Sequence, residues 1–443
     1  MKIIIVGGGI GGLAAYHALR KYLPAAKTSV IVYETYPTSR FTTTVIGGGL
    51  GLQPNGQRAA ATISPTALEY IQARGMESPT FTIRNQEGKV LGVMNVGNKA
   101  KHGYGSIMAP RAVVHEAFLV EGDVEKEVKW GKKVKEVKEF EDRVEVLFED
   151  GDKDTCDLLI GADGVRSICK EALFPNQYPP NYDGLTGIGG FLPLSALSPT
   201  LQAGIRKEIV TMTFSRSGFF GYAFCSPSST NGEERMMWWS TYECNPPLPR
   251  DTPPSQVLDH LVARHGDWIS PYDEKDTGRR VFKDIVTLGC QDGTEFLVLP
   301  RYITPLLPNW STVRTSNGQG RIVLLGDAAH TMPPDSGQGV SCAIEDGLAL
   351  ALLLRHYLSN SQLTEVKAIQ KSLLAYEEIR KPRVATILKF AKRGGDSKRE
   401  LGWFGEKMRD WAFWFFLKLP FSVIDGMHSY DVEAEVKKYL KDH

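Results

Sequence analysis

Residues 3–6 (IIIV) are apolar at every position and give way at once to GGGIGG and then to the helix-forming residues 13–19. A short run with no polar alternation suits a strand buried on both faces, as in a parallel sheet. A second such run, 29–33, ends at Glu34. Strand, glycine turn, helix, strand and acid in that order form a βαβ unit with a dinucleotide turn, G-x-G-x-x-G, at Gly7, Gly9 and Gly12. Gly7 serves the tight turn, Gly9 lets the backbone approach a pyrophosphate, and Gly12 lets the helix pack closely. The helix N-terminus takes the phosphate charge, and Glu34 accepts from ribose hydroxyls. NAD and FAD use the same turn, so the motif predicts an adenine dinucleotide without choosing between them.

The patterning then divides the chain. Residues 134–140 and 143–149 alternate as strands, followed by an EDGD turn, and 157–160 form a strand entering GADGVRS (161–167). Residues 321–325 (RIVLL) form a buried strand ending in GDAAHTMPPDSGQG (326–339), with a long apolar helix expected to about Tyr357. Between these pieces, 210–244 alternates and is rich in aromatics, with a turn at SPSSTNGEE, which suits an antiparallel sheet. Residues 82–93 read as a hairpin of the same sheet, turned at QEG. The expected architecture is α/β: a Rossmann-like dinucleotide domain (1–72, 101–178, 287–395), an inserted mainly antiparallel sheet domain (73–100, 179–286) and a C-terminal helical tail (396–443).

Length agrees, because 443 residues exceed what one core usually holds, about 250–300. With 52 Lys+Arg against 51 Asp+Glu, the chain has no excess positive charge for a nucleic-acid partner. Its six cysteines are scattered, with neither CxxC nor metal-ligand spacing, and read as ordinary thiols of a reducing compartment. The glycines after residue 6 argue against a signal peptide, and no window offers about 18–20 uninterrupted apolar residues. A cytoplasmic protein without a spanning helix is expected. The aromatic stretch WAFWFFLKLPF (411–421) is too short to span a bilayer. A helix docked on the body is favoured for it over peripheral membrane contact, because an interfacial helix should also present a basic polar face.

Asp163-Gly164 in GADGVRS, Gly326-Asp327 in LLGDAAH and the glycine turn at the N-terminus occur together and in order. In this combination the sequence resembles the single-component FAD-dependent monooxygenases, the flavoprotein aromatic hydroxylases that include salicylate and para-hydroxybenzoate hydroxylases. The resemblance runs from Met1 to about Arg393. It implies that Gly7, Gly9, Gly12 and Glu34 bind the ADP half of FAD, that Asp163 and Gly164 serve both FAD and the pyridine nucleotide, and that Asp327 holds the ribityl chain. Arg111 in APRAVVHEAF falls at the family's FAD-contacting arginine, and GGGLGLQPNG (47–56) is a further match. Pro334 stands at the proline near the reactive flavin edge, while Asp335-Ser336 departs from the bulkier residues of many relatives.

The residues themselves agree. Asp327 follows a buried strand, so it lies at the carboxyl edge of a sheet, where open α/β folds bind ligands. Gly337-Gln338-Gly339 opens a helix whose free N–H groups and dipole favour negative charge on reduced flavin. His330 is a candidate base, although a satisfied structural histidine is the commoner outcome. The resemblance implies NAD(P)H as co-substrate and O₂ addition at flavin C4a, with one oxygen atom delivered to an electron-rich aromatic or alkene substrate. Water must be kept from that step. Phe219, Phe220, Tyr222, Trp239 and Tyr242 are the expected wall of the pocket, and Arg206, Arg216 and Tyr222 are alternative anchors for a phenolate or carboxylate. A flavin oxidase or reductase without oxygen transfer, or a non-catalytic FAD-binding protein, are the competing readings.

Overall fold

A computed structural model describes residues 1–39, 48–227, 233–294, 296–316, 318–419 and 423–443. Most of the SPSSTNGEE turn and the end of the aromatic stretch, Pro420 and Phe421, lie outside the described residues. The first apolar run is the strand Lys2–Val6, paired in parallel with Ser29–Tyr33 on one side and Leu158–Gly161 on the other; Ile322–Leu324 completes this sheet. Ile3, Ile4 and Ile5 are fully buried, as a run without alternation requires. Two helices seal the sheet, Ile10–Tyr22 from the glycine turn and Gly339–Leu358 from the GQG turn. They approach so closely that a Cβ at Gly347 would stand 2.8 Å from the Ala15 backbone. A three-stranded antiparallel sheet, Val134–Glu139, Val144–Phe148 and Lys153–Cys156, flanks this unit.

The inserted unit is a seven-stranded sheet in the order Phe296–Ile303, Asn181–Pro193, Arg235–Glu243, Gly218–Ser226, Val210–Ser215, Thr80–Asn85, Val90–Asn95. The hairpin expected at 82–93 forms its far edge and joins through a parallel pairing with Val210–Ser215. Phe296–Ile303 carries the sheet past the boundary expected at 286. After the helix Val281–Gly289 the chain returns to pair with Asn181–Pro193 before it re-enters the first unit. A small sheet, Gly49–Leu52, Ser106–Pro110 and Met76–Ser78, stands between the two units.

Side chains alternate along these strands and sort into two cores. Phe220, Tyr222, Phe224, Trp238 and Tyr242 pack under the helices Pro199–Lys207, Pro254–His265 and Val281–Gly289. Phe219, Ala223, Met237 and Trp239 face the other way, in a cluster with Met108 of the small sheet. The tail forms Trp403–Phe416, Val423–His428 and Val432–Asp442. Phe413 of its first helix meets Phe214 with ring centroids 4.8 Å apart.

Candidate cofactor cradle and its facing sheet

The glycine turn has the geometry its spacing predicts. Gly7 has φ +107°, a conformation that side chains rarely adopt, and a Cβ at Gly12 would stand 2.0 Å from the Gly7 carbonyl oxygen. Gly9 opens the helix, and a Cβ there would meet nothing within 4 Å. The turn is thus tight at its ends and open in the middle, where a diphosphate approaches. Glu34 lies beside it, with one carboxylate oxygen accepting from the Gly8 N–H at 2.6 Å and the other from the Tyr36 N–H at 3.0 Å. A carboxylate has about four lone-pair sites, so two remain for hydroxyl donors.

Arg111 begins the helix Arg111–Val120, and its Nε is buried without a partner among the described residues. Burial pulls the guanidinium below its usual pKa, and the charge of Asp327 opposes this. The two residues implied by the resemblance, far apart in sequence, are therefore electrostatic neighbours. Asp327 is exposed at the first position of Asp327–His330, beyond the end of Ile322–Leu324. An unpartnered cation nitrogen, an exposed carboxylate, open space at Gly9 and spare acceptors on Glu34 together fit a flavin dinucleotide.

Other candidates take more structural roles. Asp163 caps the helix Ile168–Leu173, accepting from Ser167 Oγ (2.5 Å), Ile168 N (2.7 Å) and Cys169 N (3.1 Å). Burial raises its pKa, against these bonds. Gly164 follows it with open space around its Cα. Gln338 is fully buried and exchanges hydrogen bonds with Asn55 (2.9 and 3.2 Å), so its side chain latches the loop and leaves only its backbone for a ligand. Gly337 and Gly339 flank that latch, Gly339 as the first residue of the long helix.

His330 is buried, with Nε2 2.6 Å from Asp346 Oδ2, an oxygen that also accepts from the Gly326 N–H at 3.0 Å. Arg380 closes the group at 2.8 Å from Asp346 and 2.7 Å from Glu345. Burial alone would raise the Asp346 pKa, but His330 and Arg380 hold it at about 2. His330 thus orients the Gly326-Asp327 turn through a shared carboxylate.

Pro334 is exposed in a short turn ahead of Gly337. The next residue, Asp335, is buried against Arg301 of the large sheet and lies 2.8 Å from Lys398. Arg301 also reaches Asp183 through Nε at 2.6 Å. Two acids and two bases from four distant points of the sequence therefore pin this loop to the sheet edge.

The structure divides the five expected wall residues. Phe219 and Trp239 lie on the face turned to the cradle, while Phe220, Tyr222 and Tyr242 lie on the face sealed by helices. Neighbours such as 219 and 220 cannot share a face of a pleated strand. Burial raises the Tyr222 pKa strongly, and the residue has no route to the cradle. Met237, a parity partner of Trp239, touches the small sheet, where a Cβ at Gly49 would overlap its sulfur. Phe191 and Met212 pack on the same cluster. Parity counted from Trp239 signals Met237, whereas nothing local signals the Asp183–Arg301–Asp335–Lys398 group. Arg206 is exposed and pairs with Glu234. Arg216 is exposed in a hairpin turn, and its backbone N–H donates to Glu406 of the tail at 3.1 Å.

The parallel sheet, the glycine-cornered cradle at its carboxyl end and the antiparallel sheet facing it define an FAD-binding α/β fold. The FAD binding domain family model matches residues 274–391. Over 407 residues the chain is 26% identical to a salicylate hydroxylase of Pseudomonas putida, covering 87% of this chain and 83% of that protein. It is 29% identical over 412 residues to the chloroplastic zeaxanthin epoxidase of Solanum lycopersicum, covering 87% of this chain but 53% of that longer protein. Among solved structures it superposes on Klebsiella pneumoniae HpxO complexed with FAD and uric acid, with TM-score 0.73 and 20% identity over 99% of this chain and 97% of that one. The chain is similar to FAD-dependent hydroxylases and epoxidases along most of its length, as its motifs imply.

Proposed function

We propose that the chain is an FAD-dependent monooxygenase that uses NAD(P)H and O₂ to hydroxylate or epoxidise an electron-rich aromatic or alkene small molecule. The observation that carries this reading is the surface facing the cradle. Trp239 stands between Gly221 and Gly189 on the adjacent strands, and a Cβ at Gly221 would come within 2.5 Å of its ring. Bare backbone beside an aromatic ring gives a flat, apolar floor suited to a planar or unsaturated substrate. Phe219 and Met237 extend that floor.

Bound FAD supplies the redox chemistry and the activation of O₂. Glu34 holds the ribose hydroxyls, the backbone at Gly9 admits the diphosphate, and Asp327 with Arg111 grips the chain between phosphate and ring. The N-terminus at Gly339 stabilises negative charge on the reduced ring. Phe219, Met237 and Trp239 exclude the water that would divert oxygen into peroxide.

The test is turnover under isotopically labelled O₂ across a panel of phenols, indoles and alkenes. One labelled atom in the product, with less peroxide formed than NAD(P)H consumed, is expected. Peroxide equal to NAD(P)H consumed with every substrate, and no label in any product, makes the chain an oxidase instead.

A further inference from the structure

The tail helix Trp403–Phe416 is amphipathic in the reverse of the usual sense. Its buried residues are Glu406, Arg409 and Asp410, while Trp403, Phe404, Met408, Trp411, Trp414, Phe415 and Phe416 are exposed, Trp411 by 74% and Phe404 by 69%. Polar ties fix this orientation. Glu406 accepts from the Arg216 N–H, and Arg409 donates to the Ser215 carbonyl at 2.7 Å and pairs with Asp410 at 3.1 Å. Rotating the aromatic face inward would break all of these and leave buried charges uncompensated. The helix docks on the body, as expected from the sequence, through these polar residues together with Phe413 on Phe214, and its other aromatic residues face outward.

We propose that this outward face seats the protein on the interfacial layer of a lipid bilayer. Trp and Phe with few aliphatic neighbours are the residues that partition to the headgroup boundary. The objection that an interfacial helix needs basic flanks is answered at the end of the helix, because the acids Glu406 and Asp410 turn inward and Lys418 remains exposed, while Lys407 pairs with Glu87 at 3.4 Å. Lys418 lies with Nζ 3.7 Å from the Trp414 ring centroid, its stem along the apolar surface and its charge placed to reach phosphates. At the end of the helix Leu417 packs on Gly92 of the edge strand Val90–Asn95.

A second copy of the chain is a poorer occupant. Fourteen residues make a helix about 21 Å long, and its exposed apolar side chains stand out along one convex helix face rather than over the broad, mutually complementary patch that a stable protein interface requires. A bilayer needs no complementary shape. No helix among the described residues is long and apolar enough to cross a membrane, so the contact is a docking on one leaflet.

The docking stands whether or not the chain transfers oxygen. It is tested by flotation of the full FAD-loaded chain with phosphatidylcholine vesicles, alongside a Trp411→Ser/Trp414→Ser double variant whose changes lie at exposed positions. The wild-type chain is expected to float, with vesicle-dependent quenching of tryptophan fluorescence by brominated lipid. The variant should bind at least about tenfold more weakly at an unchanged melting temperature. A wild-type chain that stays with the unbound fraction overturns the proposal, as does a variant that floats equally well. Self-association without vesicles, removed by the same substitutions in a chain that does not float, assigns the face to a second copy and also overturns it.

Discussion

On the helix-covered face of the large sheet, Phe220 stacks on Trp238 at 6.0 Å with ring planes 8° apart and meets Phe282 edge-on at 5.4 Å. On the opposite face the adjacent residue, Trp239, lies over the backbone of Gly221. The same strands make both surfaces. One is filled by side chain against side chain, the way a core is packed. The other sets a large ring over bare backbone, the flat surface proposed for the substrate. A pair of consecutive tryptophans therefore carries two different jobs, decided by strand parity alone.

The largest test of that contrast is to truncate each tryptophan in turn. Trp238→Ala removes a fully buried ring against which Gly289 packs, and should cost about 3–5 kcal/mol in chemical denaturation. Trp239 is half-buried, and Trp239→Ala should cost under about 2 kcal/mol. That second variant should instead shift turnover toward peroxide. Equal losses of stability in the two variants would remove the distinction between the faces.

Next in size is the seam where the cradle-facing surface meets the cofactor loop. Arg301→Met removes the cation shared by Asp183 and Asp335, leaving Lys398 as the remaining partner of the buried Asp335. Hydrogen bonds to charged groups contribute about 1.5–3 kcal/mol each, so a loss of that order is expected. FAD should also dissociate faster, because the Pro334–Gly337 loop loses its tie to the sheet. A stability loss with an unchanged FAD off-rate would confine Arg301 to a scaffold role.

The cradle was legible in the sequence because it is made of backbone. Gly7 and Gly12 are required at fixed spacing by local sterics, and the apolar strands before them and before Asp327 place both at one sheet edge. Arg111 and Asp327 are 216 positions apart; Asp327 follows a strand that the pattern announces, whereas Arg111 is placed near FAD by the resemblance alone. The wall was legible as a set of aromatic strands but not as a face, because parity needs an anchor and alternation alone does not say which side is outward. The tail shows the limit most clearly. Its aromatic residues read as a helix docked on the body, which implies that they face it, since burial is the usual fate of such side chains. What reverses that is the set of ties from Glu406 and Arg409 to Arg216 and Ser215, about 190 residues away, which no local pattern announces.

The smallest effect sharpens the comparison through pH. His265 sits in the helix-covered core, its Nε2 2.8 Å from Ser240 Oγ and its ring 4.3 Å from that of Trp268. Burial, with a smaller contribution from Arg264, lowers its pKa to about 3. The folded state therefore keeps the imidazole neutral where the unfolded chain protonates it near the ordinary value of 6.5. The unfolded state binds more protons between those two values, so stability rises with pH across that window and falls on acidification. From pH 7.5 to 5.5 the loss from this group should be about 1.4 kcal/mol, one pK unit of linkage. His265→Gln keeps a polar group near Ser240 but cannot titrate, and should flatten that part of the curve. The acid-side loss at Asp346 has a different form. Its carboxyl is held at about 2, so its contribution is fully present above the ordinary value of 3.8 and disappears only as pH falls towards 2. Hydrogen exchange should therefore find the Pro254–His265 helix opening more readily at pH 5.5 than at pH 7.5, a difference that the His265→Gln variant should lose.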